Sequence, residues 1–506
     1  MDIQTEKKMR KTKSLLGTLL AIFAFASCEV PGGAQKNDGN DVDLYGMPID
    51  FSNVGYHQGE SKIPSYPVAV TLTAPADGAD ATELIQNALN QVPSPGAVLL
   101  KEGQYNVGGS IKIERDGVVL RGEGQGTIIK ATGTSTRSLI VLGKSTSRQM
   151  SGEEMVRGEF VAAGQKWVAV TNPSSFKHGD RVGLCFRPNS KWVSDLKMDQ
   201  IAQNADNSVK QWTPGDYVMV WERTVDHVDG AKVWFDAPVV MELHSKYATK
   251  ISLSHVQWDR IEESGIEDLM LVSDYDPAVL DSDGNLADEK HSWNAIDVKC
   301  AENCWVSGVK SAHFAGSLVD MKTGSRQITV KDCVSTAPVS LITGSRRYAF
   351  HISGGQMCLV ENCRAEHDRH GFVMGARVPG PNVFLDCEMV NAYSDIGPHQ
   401  RWSTGVLYDN CTTDRRIEVQ DRAGYGTGHG WAGVSIVYWN CKGSSIVCQS
   451  PWVNGKNWCI GCIGTRWEGR KYSDGLKRPA GEWHSYGVPV EPQSLYRYQF
   501  DLRCGK

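Results

Sequence analysis

The sequence has little helical periodicity. Leu-rich heptads are missing, and apolar residues recur at helical spacing in few places, which argues against a helical bundle or a coiled coil. Charge of one sign is also scarce: 53 basic against 58 acidic residues leave a formal net charge of −5. That balance excludes a nucleic-acid binder held by overall charge, so nucleic acid is not an expected partner and only local basic clusters remain of interest. The one pronounced apolar run, "LLGTLLAIFAFA", is too short to span a membrane comfortably as a mature helix. What is abundant is glycine, 52 of 506 residues, with 41% hydrophobic content, enough for a large core in a β-rich chain. Length alone would suggest about two to four domains unless a repeat joins them.

The apolar run follows a basic stretch, "EKKMRKTK", and ends in small residues just before Cys28, the order of an export signal. "AFASC" resembles the lipobox of bacterial lipoproteins. The resemblance implies cleavage before Cys28 and acylation of that cysteine, so that the membrane becomes a partner through a lipid; an ordinary signal peptide is the alternative. Residues 1–28 are then the signal ending at the lipobox cysteine. The polar "GGAQKNDGNDVD" opens a segment, 29–65, with the composition of a flexible tether. The expected location is outside the cytoplasm, lipid-anchored in the outer membrane and facing either the cell surface or the periplasm.

Fourteen cysteines in an exported chain suggest a disulfide framework, but their positions suggest something else. From residue 300 onward Asn or Asp precedes Cys at the end of an apolar run, at Cys304, Cys333, Cys363, Cys387, Cys411 and Cys441, with the "CIGC" of 459–462 as a weaker seventh. Successive separations are 29, 30, 24, 24 and 30 residues. A period of that size, made of short strands and glycine-rich turns, marks a solenoid of stacked coils. A small apolar thiol suits an inward position repeated along the axis, so free buried cysteines are expected. Disulfides stay open for the close pairs Cys300/Cys304 and Cys459/Cys462. Zinc is disfavoured because no second pair stands at ligand spacing.

In "PADGADATELIQNALNQV", Asp80 and Glu83 stand at capping-box spacing, and Leu84, Ile85, Ala88, Leu89 and Val92 share one face of a helix. Alternating strand and turn signals follow in "GAVLLKEGQYNV", "SIKIERDGVVLRGEG" and "GTIIKAT". Such a helix would plug the open end of a coil stack. Taken together, these residues resemble the N-terminal signature of the pectate-lyase-like superfamily of right-handed parallel β-helices, which includes polysaccharide lyases and polygalacturonase-type hydrolases. The resemblance implies an all-β fold: cap and first coils over 66–150, and the main parallel β-helix over 251–506. Between them "KWVAVTNPSSFKHGDRVGLCF" and "KVWFDAPVVMEL" read as antiparallel strands, so 151–250 is expected to be a β-rich insertion.

Chemistry gathers on consecutive coils. His370, His399 and His429 are separated by 29 and 30 residues, close to the coil spacing, in loops that also hold Arg369, Arg377, Arg401, Trp402, Arg415, Arg416, Arg422, Tyr425 and Trp431. The preceding coil adds Arg346, Arg347, Tyr348 and His351. Stacked coils would align these loops in one groove. Any single His or Trp in a solenoid loop is more often packing than catalysis; the concentration of cationic and aromatic residues is the signal. Arginine binds carboxylate and sulfate in bidentate fashion and aromatic rings stack on sugars, so an anionic polysaccharide is the expected partner. For a uronic-acid polymer the accessible reaction is β-elimination, which needs the carboxylate neutralised, the C5 proton removed and the C4 oxygen helped to leave. The expected roles are His399 as base with His370 second, Arg401 and Arg369 on the carboxylate, and Tyr425 or His429 as acid. Arg346, Arg347, Tyr348, Arg377, Trp402, Arg422 and Trp431 are expected to bind substrate.

"DRHGFVMG", "DIGPHQRWSTGVLYDN" and "GTGHGWAGVSIVYWNC" further resemble exported bacterial polysaccharide lyases that degrade chondroitin sulfate, dermatan sulfate and hyaluronan, over residues 340–465. The resemblance implies a glycosaminoglycan lyase. Lyases of this fold acting on pectate or alginate often hold calcium in an acidic cluster; here Glu366, Asp368, Asp395 and Asp421 are scattered, so no metal ligand is assigned and calcium stays open. A hydrolase would need two carboxylates, for which Asp368, Asp395 and Asp421 are the candidates. A non-catalytic glycan-binding protein would keep the Arg and aromatic residues without turnover.

Overall fold

A computed structural model describes residues 44–203 and 205–505, together with the backbone of 36–37 and 41–42. Cys28 and the signal segment lie outside the described residues. Three faces wind about one axis in a right-handed parallel β-helix. One face is a sheet of 12 strands from Val68–Leu72 to Glu482–His484, and the other two form a continuous set of 18 short strands. A representative coil runs through Leu359–Glu361, Arg364–Glu366 and Phe372–Met374, and the next through Asn382–Leu385, Glu388–Val390 and Asp395–Pro398. Coils pair in parallel, with Val360 opposite Phe384, Ala365 opposite Met389 and Val373 opposite Gly397.

The Asn/Asp-Cys repeat is the turn between the first and second strands of each coil. Asn303, Asp332, Asn362, Asp386, Asn410 and Asn440 all adopt a left-handed backbone with φ between 48 and 55°, which these side chains tolerate better than most, and Gly461 takes the same place in the last repeat. The cysteine that follows points inward. Its thiol donates to carbonyls of its own and the preceding coil, as Cys363 Sγ does to Glu361 O at 3.3 Å and Val330 O at 3.7 Å. Every described cysteine is a free thiol, including those of the two close pairs, so no disulfide among them holds the stack.

The capping helix is Thr82–Gln91, one residue later than the capping-box spacing predicts: its N-cap is Ala81, while the Asp80 carboxylate accepts from Thr82 N at 2.7 Å and Gly108 N at 2.8 Å. Ile85, Leu89 and Val92 enter the core, and Leu84 instead stays 40% exposed.

Residues 149–257 form a six-stranded antiparallel sheet. A buried ion network fastens it to the coils: Glu302 meets Arg326 and Arg181 at 2.5 Å each and Arg260 at 3.1 Å, and Arg326 reaches Asp236 at 3.0 Å. Burial alone would raise the Glu302 carboxyl, but the three guanidinium groups outweigh it and hold the group at about 2.

Residues 47–56 of the expected tether are instead packed into the fold. Met47, Ile49, Phe51 and Val54 are fully buried against the insertion and the C-terminal helix Leu495–Arg503. Gln499 of that helix clasps the segment, accepting from Phe51 N at 2.9 Å and donating to Ile49 O at 2.8 Å. The apolar alternation of "MPIDFSNV" supplies the packing that a tether lacks.

Candidate functional site

The third strand of successive coils builds the floor of the site. Phe350 and Ile352, then Phe372 and Met374, point inward, so His351 and Val373 face out. Gly397 pairs with Val373 and has φ 141°; a Cβ there would lie 2.2 Å from Glu418 O and 2.9 Å from Tyr438 Oη, so a side chain is excluded. Tyr348 and His370 come from loops that lead into these strands, whereas His399 and His429 come from loops that leave them. The three histidines therefore do not occupy one repeated corner; they converge from opposite ends of neighbouring strands. Ring centroids lie 4.5 Å apart for His370 and His399 and 5.0 Å apart for His399 and His429. Tyr348 sits against all but the last of the group, 5.3 Å from His351, 5.3 Å from His370 and 5.5 Å from His399.

Hydrogen-bond polarity orders this cluster. Arg422 Nη1 donates to His399 Nδ1 at 3.0 Å and to His399 O at 3.0 Å. A guanidinium has no lone pair to accept with, so Nδ1 is bare and the ring proton sits on Nε2. Burial, then the charges of His370 and Arg422, holds the His399 imidazole well below its ordinary value, so the ring is neutral. Its Nε2–H faces Tyr348 Oη at 3.3 Å and donates to it. His370 Nδ1 lies 2.9 Å from Asp395 O and 3.3 Å from the Asp395 carboxylate, which fixes its ring. Burial would raise the Asp395 carboxyl, but His370 and Arg422 outweigh it and hold it well below the ordinary range. His429 is pushed down to about 3 by burial and by Arg422, Arg401 and Arg369, so three guanidinium groups converge on this end of the cluster.

The structure redistributes the predicted roles. His399, expected as base, has its lone pair engaged by Arg422. Arg422, expected on substrate, is buried and positions His399 instead. Trp402 and Trp431 are fully buried and cannot stack on a sugar: Trp402 packs 5.1 Å from Trp192 of the insertion, and Trp431 donates to Leu196 O at 3.3 Å. Arg347 is also buried, donating to Ser340 O at 2.6 Å, and Arg346 is paired with Glu289. The Tyr425 carbonyl accepts from His429 N at 3.0 Å, but its ring lies against Arg422 at 5.9 Å and its hydroxyl accepts from Arg470 at 2.7 Å. Arg401 and Arg369 remain on the rim, anchored by Thr427 at 2.6 Å and Thr343 O at 2.7 Å. Arg377 is exposed, 5.6 Å over the ring of Tyr217 from the insertion.

Asp368, Asp395 and Asp421 are at most 1% exposed, and Asp421 is locked by Arg478 at 2.9 Å, so the carboxylates that a hydrolase would need are not presented to the groove. Among the described residues no group of three or more His, Cys, Asp or Glu side chains is arranged to hold a metal ion.

Two features escape the sequence. The insertion supports the His429 loop, with Lys210 N donating to Thr427 O at 3.1 Å and Trp212 to Gly428 O at 3.4 Å, contacts more than 200 residues apart in the chain. Asp395 orients His370, a role that its scattered position conceals.

No family model and no curated protein matches the chain. Solved structures of similar shape include the polygalacturonase of Erwinia carotovora ssp. carotovora, 12% identical with a TM-score of 0.38 over 85% of this chain and 98% of that one. An alginate lyase from Paenibacillus sp. is 9% identical with a TM-score of 0.37 over 83% and 99%. The tailspike of E. coli bacteriophage HK620, solved with a pentasaccharide, is 9% identical with a TM-score of 0.40 over 78% of this chain and 55% of the other. At these identities the likeness concerns the parallel β-helix alone; the chain's own strand ladder establishes that architecture.

Proposed function

We propose that this chain is a polysaccharide lyase that cleaves a uronic-acid-containing anionic polysaccharide by β-elimination. The preferred substrates are glycosaminoglycans such as chondroitin sulfate, dermatan sulfate and hyaluronan, a choice that rests on the resemblance of residues 340–465. The observation that carries the reaction class is the neutral His399 donating to Tyr348 Oη at 3.3 Å. In this reading Tyr348 reacts as the phenolate, its own proton released to solvent beforehand, with the His399 N–H as hydrogen-bond donor to the phenolate oxygen.

In this reading the Tyr348 phenolate takes the C5 proton of the uronate, while Arg401 and Arg369 neutralise the adjacent carboxylate. The electron pair of the C5–H bond forms the C4–C5 double bond as the C4–O bond breaks. The same Tyr348 proton then passes to the departing O4, so one residue on one face serves a syn elimination and no net proton is gained or lost. His370, fixed by Asp395, packs the tyrosine ring from the other side.

The test is ultraviolet absorbance of unsaturated uronides, followed with chondroitin sulfate, hyaluronan, alginate and pectate, each with calcium and with chelator. A rise with one polymer establishes elimination, names the substrate and decides the calcium question. New reducing ends without absorbance would sink the mechanism in favour of hydrolysis, and binding without either product would leave a glycan-binding protein.

A further inference from the structure

Beyond Tyr425 the chain opens into a cavity of about 390 Å³ between the last coils and the segment 466–483. Its lining carries Arg466, Arg470, Lys471, Lys477 and Arg478 against one acid, the exposed Glu468. Arg478 is satisfied by Asp421 at 2.9 Å and Asp474 at 2.5 Å, but among the described residues Arg466, Arg470, Lys471 and Lys477 make no ion pair. Aromatic rings stand between the cations: Arg466 lies 4.4 Å over Trp483, and Arg470 lies 4.3 Å over Tyr425 and 5.9 Å from Trp467. Arg470 Nε and Trp483 Nε1 are buried donors without an acceptor among the described residues.

A run of side-chain contacts links the cavity to the cluster already described. His399 is bonded to Arg422, Arg422 lies 5.9 Å from the Tyr425 ring, and Tyr425 accepts from Arg470. Strands 395–398, 416–419, 442–448 and 463–466 pair in succession, so the cavity stands three strand spacings, about 14 Å, along the axis from His399. That is the reach of a short oligosaccharide.

We propose that this cavity is a distal subsite that grips an anionic sugar unit of the same polymer, its carboxylate or sulfate held by Arg466, Arg470 and Lys477 and its ring stacked on Trp467 or Trp483. The proposal rests on the lyase reading and adds to it a preference for chains long enough to span both sites. The experiment uses the full chain carrying Tyr348→Phe, so that ligand survives, and calorimetric titration with size-fractionated oligosaccharides of chondroitin sulfate, hyaluronan, alginate and pectate. Affinity should rise at least about tenfold from tetrasaccharide to decasaccharide, and adding Arg466→Ala with Lys477→Ala should erase that gain while leaving tetrasaccharide affinity in place. Both side chains are exposed, so folding is expected to survive, as an unchanged melting temperature would verify. Equal affinity at all lengths, or a length gain that persists in the double variant, overturns the subsite while ultraviolet-absorbing product from the unmodified chain keeps the lyase reading. No binding at any length together with no such product overturns both.

Discussion

Replacing Tyr348 by Phe removes one oxygen and keeps the ring that packs against His351, His370 and His399. The oxygen's hydrogen bond to His399, 3.3 Å long on a half-buried side chain, limits the stability cost to about 0.5–1.5 kcal/mol. The catalytic cost is of another order. One proton transfer by a positioned group contributes about 10²–10⁴ in rate, and Tyr348 is assigned both transfers, so kcat should fall by about 10³ or more with KM within about threefold. Initial rates of uronide absorbance on the preferred polymer, beside a thermal melt, separate the two effects. His399→Ala should cost less than Tyr348→Phe, because it removes a donor to the base rather than the base. Since His399 and His429 are held neutral, the pH–rate profile should show no acid limb from either at the ordinary histidine value. A Tyr348→Phe variant retaining more than about a tenth of kcat would refute the assignment. So would a limb near the ordinary histidine value that disappears in His399→Ala.

Trp402→Ala and Trp431→Ala should each destabilise the fold by about 3–5 kcal/mol in chemical denaturation, because both rings are fully buried; loss of substrate affinity with unchanged stability would return them to the groove. Thiol titration should find the ladder cysteines free after denaturation and silent before it, with the half-buried Cys504 alone among the described cysteines reacting in the native chain, and reductant should leave the melting temperature unchanged. Asp368 is raised to about 8 by burial, so the folded state keeps a proton that the unfolded state releases near the ordinary carboxyl value. Its stabilising effect is present at low pH and declines between the unfolded and folded values; the contribution of Asp368 to the melting temperature should therefore drop from about pH 4 to about pH 8 and level off above, and Asp368→Asn should flatten that drop.

The coil repeat was legible because two adjacent positions are both restricted. A left-handed turn residue favours Asn, Asp or Gly, and the inward place after it favours a small apolar side chain, so the pair recurs visibly from Asn303-Cys304 to Gly461-Cys462. The region of the site was legible for a similar reason, since stacking converts spacing into proximity for His370, His399 and His429. Direction was not legible. Arg401 and Trp402 both adopt left-handed backbone, φ 53 and 68°, which turns the indole into a box made by Trp192, Trp212 and Met241. That box belongs to the insertion, and no local pattern around 402 announces it. The apolar segment 44–56 went unread because its partners, the insertion and the C-terminal helix, lie far along the chain.

In the proposed mechanism, electrostatics disfavours the histidines as proton carriers. The arginines that mark this surface as an anion site also surround the imidazoles, and each nearby guanidinium makes a protonated ring more costly. His429 shows the effect, driven to about 3 by burial and three arginines, and His399 moves in the same direction. A neutral ring with one nitrogen engaged by Arg422 has a single use left, to donate. In the proposed reading that donor faces Tyr348, whose reacting oxygen it contacts at 3.3 Å. A groove rich in arginine therefore assigns the proton-carrying work to an acid whose charged form is negative. A histidine base would need the same groove to carry fewer cations, and then it would hold a polyanion less well.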